Sequence, residues 1–232
     1  MAELSGSAIF SMLYFIFITR FLDPAFDSNL ILLGLLIGAS YLAGVYIPFH
    51  TYRIHIIPFI SIIRALQKKK PEIILYKIPA QIIGAFVGTF IYYKYSLLTN
   101  STIHVSEMWT FKVESQLDLI FFNILTVFVL CYLFYIIQLI FKNMGFTSTF
   151  YYALVIQVVF IFTCQVSEVS SLNVFGYLSI YLLQGNPGFS SSWFMFLLTH
   201  FIFPAIVAVL IYYYIRDRFI EKRSSTRAKQ TI

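Results

Sequence analysis

Charge is what this sequence has least of. Of its 232 residues, 11% are charged and 59% hydrophobic, and the mean hydropathy is +0.82. An ordinary soluble domain is about 25% charged, so this composition excludes a water-soluble globule and makes the bilayer the solvent. Cysteine is scarce as well. Cys131 and Cys164 both fall inside apolar runs, which reads as core packing and speaks against a disulfide framework or a thiolate metal site. The chain lacks a nucleophile–base pair, a metal-ligand cluster and a Gly-rich phosphate loop, so neither enzyme activity nor a cofactor or metal is expected. The first apolar run is too long for a signal core and has no basic leader or small-residue cleavage site. A cleavable signal peptide is therefore not expected.

What is present is a series of apolar runs near the length needed to cross a bilayer, roughly 20 residues each. They read as Ala8 to Leu22, Leu30 to Phe49, Ile73 to Tyr95, Leu117 to Phe141, Phe150 to Cys164 and Phe194 to Ile215. Aromatic pairs and triplets such as Tyr92-Tyr93 and Tyr212-Tyr213-Tyr214 mark several ends, as suits the interfacial layer. The basic residues are one-sided. Arg53, Arg64, Lys68, Lys69, Lys70 and Lys77 lie between spans two and three, Lys142 lies between spans four and five, and six more lie in the tail. Only Arg20, Lys94 and Lys112 fall on the other side, with most of the acids. The positive-inside rule then places both termini in the cytoplasm, or in the matrix if the membrane is the mitochondrial inner one. The net charge of +6 thus reads as orientation in a membrane, and no nucleic-acid partner is expected. Asn100-Ser101-Thr102, in the long exterior loop, is a glycosylation sequon. The tail from Glu221 to Ile232 is polar and basic and should be disordered when alone.

Two short segments break the pattern of full spans. Ile57-Pro58-Phe59 opens an amphipathic helix over 57–68, and Leu172-Asn173-Val174-Phe175 opens another over 173–184. Proline suits a first helical turn because it has no N–H to leave unpaired, and Asn173 stands at a good capping position. Half-length helices at matching places in two hydrophobic triplets point to an inverted-repeat channel or transporter. Asn186-Pro187 reads as a turn, because too little chain follows it for a half-helix and another full span.

In order and spacing, the motifs resemble those of the aquaporin, or major intrinsic protein, family. The family's first signature, a His, a spacer and then Asn-Pro-Ala, reads here as His55-Ile56-Ile57-Pro58-Phe59. Its third-span signature reads Ala80-Gln81-Ile82-Ile83-Gly84-Ala85, and Gly38 matches a second-span glycine. Its second Asn-Pro-Ala-Arg reads Asn173-Val174-Phe175-Gly176, and Pro204-Ala205 with Ala208 match the last span. The resemblance implies an all-α integral membrane fold of six transmembrane helices plus two half-helices in an inverted 3+3 repeat. Its parts would be a first repeat over 1–97, an exterior connecting loop over 98–116, a second repeat over 117–216 and a basic tail over 217–232. A homotetramer is also implied.

The departures fall at the pore. In the family the two Asn side chains donate hydrogen bonds to water at the pore centre, and here Ile57 replaces the first while Asn173 remains. Phe59 and Phe175 stand where the family has alanines, and Val174 where it has the second proline. Two phenyl rings cannot occupy the space of two methyls without moving the helices or filling the pore. By the resemblance, the selectivity filter maps to Ile37, Ile161, Ser170 and Gly176, with Gly176 in place of the family's arginine. A constriction lined in this way offers water few partners, and such constrictions tend to dewet. The family's buried glutamates are missing from spans one and four, and Asn123 occupies roughly the fourth-span position. Gln81 and Asn123 read as interhelical hydrogen-bonding groups, and Gln157 and His200 as helix-packing groups. The run Lys68 to Lys70 reads as a solvated loop that can touch anionic lipid. Arg53 and His55 read as an interfacial arginine and a loop-bonded histidine, with a gate or cation-repelling ring as the sharper alternative.

Two functions follow. One is an aquaporin-fold protein with degenerate pore motifs, non-conducting, serving as a structural or accessory subunit of a larger membrane assembly. The other is an unorthodox passive channel for water, glycerol or another small neutral solute. Partners are the lipid bilayer and either other subunits of a membrane complex or three further copies of the chain.

Overall fold

The computed structural model describes residues 1–22, 29–48, 55–99, 116–141, 145–166, 171–183 and 196–214. Arg53, the sequon at Asn100, Ser170, Asn186-Pro187 and the basic tail lie outside them. The described residues form helices and no strand. In chain order these are α1 (Ala2–Leu22), α2 (Leu30–Tyr46), α3 (Pro58–Gln67), α4 (Glu72–Leu98), α5 (Gln116–Ile140) and α6 (Gly145–Val166). A 3₁₀ turn (Ser171–Asn173) then leads into α7 (Val174–Leu183), and α8 (Leu198–Tyr214) closes the series. Among the described residues, α1, α4 and α5 contain stretches long and apolar enough to cross a membrane, and α2, α6 and α8 are shorter apolar helices. The ten-residue α3 and α7 rise about 15 Å, half the hydrocarbon thickness.

Local chemistry explains where the elements begin and end. Asn29 caps α2, its Oδ1 accepting from the N–H groups of Ile31 and Leu32 at 3.1 Å each. Pro58 occupies the first turn of α3. That helix ends at Gln67 with Lys68 as its C-cap; Lys69 just beyond has a left-handed φ of 53°, and Lys70 N–H closes back onto the Ala65 carbonyl at 3.0 Å. Pro71 then leads directly into α4. α8 opens in a π turn, Leu198–Ile202, just ahead of Pro204. A proline removes one backbone donor and crowds the carbonyl four residues back, and the wider π turn accommodates both.

α1 begins at Ala2, six residues before its expected start at Ala8. The polar residues Glu3, Ser5 and Ser7 hide this turn from a hydropathy reading, yet it packs on α4, where Glu3 pairs with Lys77. α4 shows why the chain needs lipid. Its buried stripe includes Gln81, Gly84, Ala85, Gly88, Thr89 and Ser96, while Ile82, Ile83, Phe86, Val87, Phe90 and Ile91 are exposed. Small and polar residues inside with large apolar residues outside is the membrane arrangement, in which close backbone approach holds helices together.

Gly84 and Gly88 set the α1–α4 crossing, since a Cβ on either would run into the backbone of Leu4 or Ala8. Gly38 does the same for α2 and α6, where a Cβ would sit 3.0 Å from the Ala153 carbonyl. The two halves also exchange elements. α3 packs against α5 of the second half, and α7 reaches α1 of the first through a Tyr14–Tyr177 hydroxyl contact of 3.2 Å.

Candidate pore centre and its polar flank

The two half-helices meet through aromatic rings. Ile57 is the N-cap of α3, fully buried, and supplies no side-chain cap. Phe59 and Phe175 are both buried. Each ring packs on Phe201 of α8, with centroids 6.0 Å from Phe59 and 5.3 Å from Phe175. Phe201 thus bridges the two rings. Pro58 and Val174 are buried beside them.

A second group of rings fills the space between α1, α2, α6 and α7. Tyr14 lies edge-on to Phe160 at 5.8 Å and to Tyr177 at 5.9 Å. Phe10 lies edge-on to Tyr41 at 6.4 Å. Phe10, Tyr14, Tyr41, Phe160 and Tyr177 are all at most 2% exposed, and Ile37 is fully buried on the same face of α2 as Tyr41. Ile161 follows Phe160 and is half-buried; its Cγ1 would lie 2.7 Å from a Cβ placed on Gly34. Three of the four positions mapped onto the filter, Ile37, Ile161 and Gly176, are thus within the described residues.

Asn173 closes the 3₁₀ turn before α7. Its Oδ1 accepts a hydrogen bond from Ser11 Oγ of α1 at 2.9 Å. Gly176 lies under this amide: a Cβ there would come within 2.6 Å of both Nδ2 and Oδ1. Gln81 ties α4 to α3, its Nε2 donating to the His55 carbonyl and, at 2.8 Å, to Ser61 Oγ. The His55 ring itself lies edge-on to Phe134 at 5.9 Å. Asn123 is buried in α5. His200 is fully buried, stacked on Phe196, with Nδ1 2.7 Å from Thr199 Oγ1, and Gln157 is half-buried beside Gly34 and Gly38. Arg64 lies with its guanidinium 5.8 Å from the centre of the Phe134 ring.

Sequence reasoning missed Ser7, Ser11 and Tyr14, which the fold brings against α4 and α7. The available signal was their spacing at i, i+4 and i+7, one helix face carrying hydroxyls through an apolar span. Phe201 gave no such signal, being one phenylalanine among 26.

No family model matches the chain, and no curated protein matches it in sequence. The structure is similar to the X-ray structure of the aquaglyceroporin from Plasmodium falciparum, with a TM-score of 0.74 and 17% identity over 94% of each chain. A likeness at that identity shows the fold. The described residues have an all-α, aquaporin-like architecture, with apolar helices of the kind found in a multi-pass integral membrane protein.

Proposed function

We propose that this aquaporin-fold protein has a closed pore and serves as a structural or accessory subunit of a larger membrane assembly. The observation that supports this most is the ring group of Phe10, Tyr14, Tyr41 and Phe160, buried with Ile37 between α1, α2 and α6. Protein interiors pack to crystal-like density, and rings in edge-on contact leave no passage for a hydrated solute. The mapped filter positions add no charge and, at Ile37 and Ile161, no hydrogen-bond partner, so water entering there would give up bonds without replacement. Both termini face the cytoplasm or the matrix, by the distribution of basic residues.

Stopped-flow shrinkage of liposomes tests the closed pore. Vesicles holding the protein should shrink at the rate of empty ones, and Tyr14→Ala with Phe160→Ala should raise that rate. A wild-type rate well above empty vesicles would overturn the reading. Native electrophoresis of the gently extracted protein, with mass spectrometry of the band, tests the assembly: other subunits in the band support it, and four copies of this chain alone count against it.

A passive channel for water, glycerol or another small neutral solute is the second reading. It is favoured by Asn173, whose Nδ2 makes no hydrogen bond to the protein and could serve a solute. The similar structure is that of an aquaglyceroporin.

A further inference from the structure

We infer that one ordered water molecule is held between the two half-helices by Ser7, Gln81 and Asn173, and that it links them. A small cavity, with about 10 Å³ open to the centre of a water-sized sphere, lies among these three residues. A space of that size takes about one water. All three line it; Ser7 is 3% exposed, Gln81 0% and Asn173 5%, and each has a buried polar atom without a protein partner: Ser7 Oγ, Gln81 Oε1 and Asn173 Nδ2.

The chemistry of the three atoms is complementary. Gln81 cannot flip its amide, because the His55 carbonyl can only accept and so requires the Nε2 end. Its Oε1 is therefore an acceptor. Asn173 holds Oδ1 against the Ser11 hydroxyl, which leaves Nδ2 as a donor. The Ser7 hydroxyl can donate or accept. One water accepts from Asn173, donates to Gln81 and completes its set with Ser7, which makes the three bonds typical of a buried water. Left unpaired in a bilayer, each of these groups would cost the fold its desolvation.

The water makes one network from two segments. Gln81 already grips α3 through His55 and Ser61, and Asn173 leads into α7. By the resemblance, paired Pro-Ala motifs join the half-helices in the family; here Val174 and the two phenylalanines break that pairing, and the polar link joins the two segments beside Phe175. The cavity walls come from α1, α4 and the two half-helix starts. Neither α2 nor α6, which carry the mapped filter positions Ile37 and Ile161, contributes to them. The water site therefore lies away from the mapped filter positions Ile37 and Ile161.

A structure of the full chain in lipid nanodiscs, at a resolution that shows water, tests this. One isolated peak is expected about 2.7–3.2 Å from each of the three atoms. No peak, with the two amides turned into direct contact, would overturn the inference. So would a peak continuous with a file of waters reaching either membrane face, which would make it transported water. A double-mutant cycle on Ser7→Ala and Asn173→Ala, read as unfolding midpoints, gives a second measurement. The double variant should lose less than the sum of the singles, because both act through one water. Strict additivity would count against the shared water.

Discussion

Asn173 shows how much a single residue can reveal and how much it conceals. Its identity and its place before a short apolar helix were legible, but its direction was not, because Ser11 lies 162 positions away. The fold turns its carbonyl oxygen to α1, with Gly176 beneath. Gly176→Ala should push the amide aside, break the Ser11 bond and lower stability by about 1–3 kcal/mol, read as a lower unfolding midpoint in detergent. An unchanged midpoint would mean that the amide has room to move. Lys69 carries the opposite prediction. Its φ of 53° strains a side chain with a Cβ, and Lys69→Gly should raise stability by roughly 0.5–1 kcal/mol. A fall in the midpoint would show that the lysine head makes a compensating contact.

At the scale of elements, the half-helices were legible because their signals are local. Proline at a first turn and asparagine ahead of an apolar decade act through nearest neighbours. The expected 57–68 and 173–184 compare with α3 at Pro58–Gln67 and α7 at Val174–Leu183. The early start of α1 was not legible, since Glu3 and Ser7 are polar and only α4 makes them helix-packing residues. Packing of elements yields a contrast. At Gly88 an added Cβ meets the backbone of Ala8, whereas at Gly34 it meets the flexible end of Ile161. Gly88→Ala should therefore destabilise the protein clearly more than Gly34→Ala, because a backbone cannot step aside as a side chain does. Equal midpoints for the two variants would disprove a tight α1–α4 crossing.

For the whole molecule, the question is which rings close the interior. The substitutions of Phe59 and Phe175 for small residues drew attention to the pore centre. In the fold both rings turn to Phe201 of α8, and the group around Tyr14 lies between α1, α2, α6 and α7. Phe59→Ala with Phe175→Ala should thus loosen the junction of the half-helices, at about 3–5 kcal/mol for each buried ring. It should leave liposome shrinkage unchanged. A rise in permeability with this pair, absent with Tyr14→Ala and Phe160→Ala, would place the block at the half-helix tips instead. The outer face of α4 and the exposed Phe121, Leu125 and Phe128 of α5 present apolar side chains to lipid or to neighbouring subunits. Native size decides between these.

The sequence by itself determined that the composition suits a bilayer, which runs are helical and which two of them are short, and its one-sided basic residues carry an expectation of orientation. Each of these depends on quantities summed along the chain: hydropathy over about 20 residues, caps at a few positions, charge in each loop. Tertiary structure decided what the interior contains. That Asn173 meets Ser11, that Phe59 packs on Phe201, and that Ser7 and Gln81 share a cavity all depend on how closely helices approach, as at Gly38, Gly84 and Gly88. Those approaches bring together residues far apart in sequence, and side-chain direction follows from contacts that no local pattern encodes.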